Sequence, residues 1–161
     1  MIVGVIGDTH IPFAHPGYLP FVKRVFKQFR VKRVVHIGDL FDNHAISYHE
    51  ADPDGYSSGD ELSIGELDLS MWIKAFPRLD LLMGNHDKLP ERKVKTAGLS
   101  SRFLKGFKET WGLPDGWVIH PDHVVIDGVY YTHGTGMSGK NAAINLSMIK
   151  GMSAVMGHIH S

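Results

Sequence analysis

Side chains able to bind a cation or move a proton recur in this sequence wherever an apolar run stops. Asp8 and His10 follow IVGVIG (2–7), Asp39 follows RVVHIG (33–38), and Asn85 and His86 follow LDLLMG (79–84). His133 lies at the end of VYYTHG (129–134), and His158 and His160 follow SAVMG (153–157). The last two are spaced His-x-His, and alternate residues of extended backbone project to the same side, which suits a shared metal. Two carboxylates (Asp8, Asp39), four imidazoles (His10, His133, His158, His160) and the Asn85 amide make seven donors. One tetrahedral zinc uses four at most. Two cations about 3.5–4 Å apart, bridged by one carboxylate, would absorb all seven and leave room for a bridging water. Such a pair would lower the pKa of that water, orient it for in-line attack and neutralise charge on phosphoryl oxygens.

The elements that must bring these residues together are legible in outline. Five short β-branched runs read as strands. Between the first two, Phe21, Val22, Val25, Phe26 and Phe29 recur at helical spacing, an amphipathic crossover of suitable length. Helices are also expected near 60–76, near 100–111 and over NAAINLSMIK (141–150), and WVIH, HVVID and VYYTH read as a meander around turns at Pro121-Asp122 and Asp127-Gly128. Alternating strands and helices imply an α/β fold in one domain, residues 1–161, with the site at the carboxyl ends of the strands. The stretch EADPDGYSSG (50–59) reads as a mobile loop.

Composition narrows the chemistry. With 17 basic and 17 acidic residues, no global field draws the chain to nucleic acid or membrane. The charge is uneven, though: eight acidic residues and no Lys or Arg lie between Asp42 and Ser70, whereas Lys88 to Lys108 carries seven basic residues against Glu91. With no cysteine, disulfides and thiolate metal sites are excluded. The start, MIVGVIGDTH, lacks the basic region and length of a secretory signal, and no apolar run approaches a membrane span, so a cytoplasmic protein without membrane contact is expected.

The blocks GDTH (7–10), GDLFD (38–42), GNHD (84–87), HG (133–134) and GHIH (157–160) resemble, in order, the five signature motifs of calcineurin-like metallophosphoesterases. The resemblance spans nearly the whole chain and implies a layered α/β/β/α sandwich with mixed sheets and flanking helices. It implies dinuclear-metal hydrolysis of phosphate esters. By that resemblance Asp8, His10 and His160 bind one metal, Asn85, His133 and His158 the other, and Asp39 bridges. His86 would be the general acid at the leaving group, and Asp42 would orient it. Donors of mixed N/O type suit manganese first, with Fe, Zn, Co or Ni as alternatives.

Two departures bear on substrate. In the family's protein phosphatases an Arg-Gly follows GDxxD and the arginine clamps a phosphomonoester; here Asn43-His44 stand there, with no fork-shaped donor. This favours a phosphodiesterase acting on nucleotides or nucleic acid. A phosphomonoesterase is the alternative, and a non-catalytic scaffold is the remaining one. Asn43 and His44 are candidate phosphate contacts. Family members usually continue past GHxH, so the chain is expected to be either minimal or a shortened one.

Other features weigh less. GTGMSGKN (134–141) approaches a P-loop but has Asn141 where Ser or Thr would bind magnesium. Its Lys140 and the following helix start are retained as a candidate phosphate contact beside His133. The basic stretch from Lys88 is expected to rim the site for a polyanionic substrate, or to meet the acidic loop of a second copy in self-association. His36, inside a strand, reads as structural. His15, His49, His120 and His123 read as surface or turn residues, and Phe13 and Tyr18 as packing aromatics that could also line a base-stacking pocket.

Overall fold

A parallel sheet whose strands follow chain order organises the molecule. The computed structural model describes all residues except 51 and 161; residue 51 belongs to the loop expected over 50–59 and lies outside the described residues. Strands β1 (Val3–Ile6), β2 (Arg33–His36), β3 (Leu79–Leu82) and β4 (Trp117–His120) pair side by side in the order 1-2-3-4, all parallel. Right-handed crossovers in such an order return every connection over one face of the sheet, leaving the other face free.

Helices α1 (Tyr18–Gln28) and α2 (Ser58–Ala75) occupy the covered face. Val22, Leu69, Trp72 and Phe76 pack there against Ile6, Leu79, Leu81 and Trp117 in one buried cluster. The opposite face carries Val35, Ile37 and Leu82, which pack against Ile126 and Tyr131 of a second sheet. That sheet contains β5 (His123–Ile126), β6 (Val129–Thr132) and β7 (Ser153–Met156), antiparallel between β5 and β6 and parallel between β6 and β7. Helix α5 (Ala142–Lys150) connects β6 to β7 and packs on β7. The layers are therefore α/β/β/α, as the resemblance implied, with alternate strand residues feeding the two cores.

Two local expectations are corrected. WVIH does not join a meander: β4 pairs with β3 in the first sheet, and the chain crosses at Pro121-Asp122 into the second. Trp117 explains this, since its buried indole packs in the helix-side core and donates Nε1–H to Phe76 O at 2.8 Å. The helix expected near 100–111 is broken into a 3₁₀ turn at Ser101–Phe103 and one turn of α4 (Phe107–Thr110), divided by Gly106. The regular helix of this connection is α3 (Leu89–Thr96), starting with Pro90 in its first turn, where a missing N–H is tolerated. Among the described residues no helix is long and apolar enough to cross a membrane.

His36 is structural, as expected from its place inside β2. The Gly38 N–H donates to its Nδ1 at 3.2 Å, so Nε2 carries the ring proton and donates to Thr9 Oγ1 at 3.1 Å. Thr9 in turn donates to Leu40 O at 3.0 Å. The ring is 1% exposed, and burial holds its pKa down to about 3. An unfolded chain binds this proton near pH 6.5, so stability is complete above that value and falls as pH drops from 6.5 towards 3. Denaturation measured between pH 7 and 4 should reveal an extra loss of up to about 1.4 kcal/mol per pH unit, absent from His36→Gln.

Candidate metal centre

Three of the strands that end at the site, β1, β2 and β7, deliver their side chains through an abrupt backbone turn. Asp8, His10, Asp39, Asn43 and His158 all have positive φ (50°, 47°, 51°, 53° and 72°), a region non-glycine residues seldom occupy. Such strain persists where surrounding structure enforces it. Pairing between the β1 and β2 loops continues beyond the strands, with Asp8 N bonded to Gly38 O, His10 N to Asp39 O and Ile11 N to Leu40 O at 2.9–3.1 Å. Asp87 ties the third loop to the second: its carboxylate accepts from Phe41 N (3.0 Å) and Gly84 N (2.9 Å). Burial pushes the Asp87 pKa up to about 6 despite these bonds.

Glycines permit the close approach. A Cβ on Gly84 would overlap both Asp39 Oδ1 and Asp39 N. One on Gly157 would lie 2.5 Å from Asp8 Oδ2. These positions are cradles for the two carboxylates.

The seven donors converge. Donor atoms of Asp8, His10 and His160 lie within 4.8 Å of one another, and so do those of Asp39, His133 and His158. Asn85 Oδ1 is 2.9 Å from His133 Nε2, which is also 3.1 Å from Asp39 Oδ2. His10, Asp39 and His86 form a third such group, sharing His10 with the first and Asp39 with the second. His160 Nε2 reaches Asp8 Oδ1 at 3.4 Å, and the His158 N–H donates to the same oxygen at 3.1 Å.

Tautomers show that these groups fit cations. The Ile37 carbonyl accepts from His133 Nδ1 at 3.0 Å, so in the neutral ring Nε2 offers a lone pair to the Asn85 and Asp39 oxygens. Three acceptors facing each other need a proton or a metal ion between them. His10 is analogous: Nδ1 donates to Asp42 Oδ1 at 2.6 Å, and buried Nε2 has no hydrogen-bond partner. An orphaned buried nitrogen is costly unless a cation takes its lone pair.

Electrostatics point the same way. Burial opposes a proton on His10, but the Asp42 hydrogen bond and the charges of Asp39, Asp42 and Asp8 raise its pKa above the ordinary value. Burial likewise opposes a proton on His133, and its bond to Asp39 with the charges of Asp39 and Asp8 reverses the direction. Burial acts against the Asp39 carboxylate, which His133 and the His86 N–H nevertheless hold below the usual range. His158 is lowered by burial and by His133. Protons and metals therefore compete for one negative pocket. Titration of the apo protein with Mn²⁺ by calorimetry should show proton release on binding, and affinity should fall steadily from about pH 8 to about pH 6. An affinity independent of pH would contradict this.

Several expectations change in detail. The Asp42 carboxylate is 3.6 Å from His86 Nδ1, which instead donates to the Asp42 backbone carbonyl at 2.6 Å. The carboxylate itself holds His10. Asn43, expected at the substrate, is 6% exposed and donates Nδ2–H to His86 O at 3.0 Å, so its amide positions the third loop. His44 remains open, with Nδ1 3.7 Å from Asp42 Oδ2. Lys140 is exposed beside Gly157 and Ile159, next to the terminal histidines.

The basic stretch is largely occupied elsewhere. Lys88 donates to Pro121 O and faces Asp122; Lys95 pairs with Glu91, Lys105 with Glu109 and Lys108 with Asp115. Lys93 donates to Ser47 O, and Arg92 and Lys93 both cover the Tyr48 ring. These charges are a solvated, internally paired face.

Sequence reasoning passed over Asp87 and Glu61. Asp87 is the last letter of GNHD, so its block was visible, but its role as a loop tie was not. Glu61, on α2 and 6% exposed, accepts from His44 N and Ala45 N at 2.8 Å each. Its only signal was an acid placed in the first turn of a helix.

The sequence matches the calcineurin-like phosphoesterase family over residues 1–161. No curated protein matches it. With the match covering the whole chain and the family's layered fold present, the protein belongs to the calcineurin-like phosphoesterases.

Proposed function

We propose that this phosphoesterase is a metal-dependent phosphodiesterase acting on nucleotide-type substrates. The observation that carries the metal reading is the acceptor-only cluster at His133, Asn85 and Asp39, together with the orphaned His10 Nε2. Asp8, His10 and His160 would hold one divalent cation, Asn85, His133 and His158 would hold a second, and Asp39 lies where it could serve both. Manganese suits this thiol-free set, as do iron, zinc, cobalt and nickel. When bound, the pair supplies Lewis-acid stabilisation of phosphoryl charge and an activated water.

The chain's own residues divide the remaining work. Asp42 fixes the His10 ring through Nδ1, and the Ile37 carbonyl fixes His133, so both present Nε2 inward. His86 is fixed by its Nδ1 bond to Asp42 O and packs edge-on to His10 with ring centroids 4.7 Å apart. Its Nε2 is the nitrogen left to serve a leaving group. The attacking water forms the new P–O bond and releases a proton to solvent. The bond to the leaving oxygen breaks with its electron pair on that oxygen, and the His86 ring, protonated on both nitrogens, gives its Nε2 proton to it.

Diester preference rests on the residues after the second motif. No arginine is present there to clamp the extra charge of a monoester, and buried Asn43 is committed to His86 O. In the presence of Mn²⁺, kcat/KM for bis(p-nitrophenyl) phosphate should exceed that for p-nitrophenyl phosphate by about tenfold or more. A clear monoester preference would make the protein a phosphomonoesterase instead.

A further inference from the structure

A cleft of about 430 Å³ opens beside the metal centre, on the side of Asp42 and His44. Its walls include Phe13, Tyr56, Asp52 and Asp54. Phe13 follows the first motif and Tyr56 precedes α2, yet their rings stack with centroids 6.0 Å apart and 24° between planes. Both remain half exposed, at 49% and 51%. The His44 ring stands edge-on to Phe13 at 6.2 Å. An aromatic wall exposed to solvent, contiguous with a candidate active site, is a surface on which a flat group gains stacking energy.

The carboxylates decide which flat group. Asp54 has no hydrogen-bonded or ionic partner for its side chain among the described residues, and Asp52 uses one oxygen, Oδ1, to accept from Asp54 N at 3.0 Å. Glu61 differs, because both its oxygens are taken by the His44 and Ala45 N–H groups. Free carboxylates accept hydrogen bonds and repel phosphates. They therefore disfavour a continuing polynucleotide chain and a base such as uracil, whose single pairing-edge N–H lies between two carbonyl oxygens. Among the common bases, guanine alone offers two adjacent N–H donors on its pairing edge, a match for one carboxylate.

We infer that this cleft binds the base of a guanine nucleotide, stacked on Phe13 and Tyr56 and held at its N–H edge by Asp52 or Asp54. The inference rests on the proposed diesterase reading only for the chemistry beside the base; binding itself does not require turnover. Asp42 forms the inner end of the cleft, so the scissile ester of a mononucleotide lies towards His86.

Two measurements separate base binding from turnover. Calorimetric binding of guanosine 5′-monophosphate and uridine 5′-monophosphate to the Mn²⁺-treated protein should favour guanosine by about tenfold or more. Asp52→Asn combined with Asp54→Asn should bring that ratio close to one, and Tyr56→Ala should weaken both ligands. Equal affinities in the parent protein, or a ratio surviving the double substitution, would overturn the assignment. Hydrolysis of 2′,3′-cyclic GMP and 2′,3′-cyclic UMP should show the same order. If neither ester nor bis(p-nitrophenyl) phosphate is cleaved while guanosine still binds selectively, the diesterase proposal fails and the base pocket stands. If p-nitrophenyl phosphorylcholine is cleaved with higher kcat/KM than bis(p-nitrophenyl) phosphate, which has the same leaving group, the cleft is a cation pocket and the guanine assignment fails.

Discussion

Replacing His86 by alanine should lower kcat for a diester with a basic alkoxide leaving group, such as 2′,3′-cyclic GMP, by about 10²–10⁴-fold while leaving bound Mn²⁺ unchanged. The reason lies in how the ring is held. Its Nδ1 is committed to the Asp42 carbonyl, and the His86 backbone N–H, not its side chain, binds Asp39 Oδ1 at 2.9 Å. Truncation to Cβ removes the proposed proton donor and spares the backbone contact to Asp39, the carboxylate proposed to bridge the metals. The loss corresponds to about 3–5 kcal/mol of transition-state stabilisation. It should shrink for esters with a leaving group acidic enough to depart unprotonated, and that comparison distinguishes acid catalysis from simple displacement of the ring. If metal content fell in parallel with activity, His86 would belong to the ligand set, a reading that its place near His10 and Asp39 makes worth excluding.

A second large effect is expected from one methyl group. In Gly84→Ala the new Cβ would overlap Asp39 Oδ1 and Asp39 N. Relief is costly, because the two loops are tied together by the Asp87 bonds to Phe41 N and Gly84 N. Either Asp39 rotates out of the centre or the two loops separate. Metal affinity should drop at least about 100-fold, and stability by about 1–3 kcal/mol, as for overpacked cores. Asp39→Asn is the companion variant: it keeps shape and an acceptor for His86 N but removes the carboxylate charge, so metal should be lost with little change in unfolding midpoint. Two metals and parental turnover in Gly84→Ala would mean that Asp39 does not hold the centre together.

Which surface faces the substrate depends on tertiary neighbours. The basic run from Lys88 invites a polyanion when read along the chain, yet nearly every lysine in it finds an acid or a carbonyl on its own face. The acidic loop, which would repel such a substrate, borders the cleft beside Asp42. Ion pairing within α3 and across the loops depends on three-dimensional neighbours, so a charge count could not anticipate it.

The donors and their strand-end positions were legible along the chain, because apolar runs and glycine stops are local signals and the motif order is linear. The α/β/β/α layering was legible too, through the family resemblance. Folding in three dimensions added the partner on each donor's other side: Asp42 on His10, Ile37 O on His133, Asn43 on His86 O, and Glu61 beneath His44. It also placed β4 in the first sheet, where Trp117 is buried. One cause underlies all of these. Hydrogen-bond partners and burial are set by residues distant in sequence that packing brings within about 3 Å of each other, and periodicity carries no record of them.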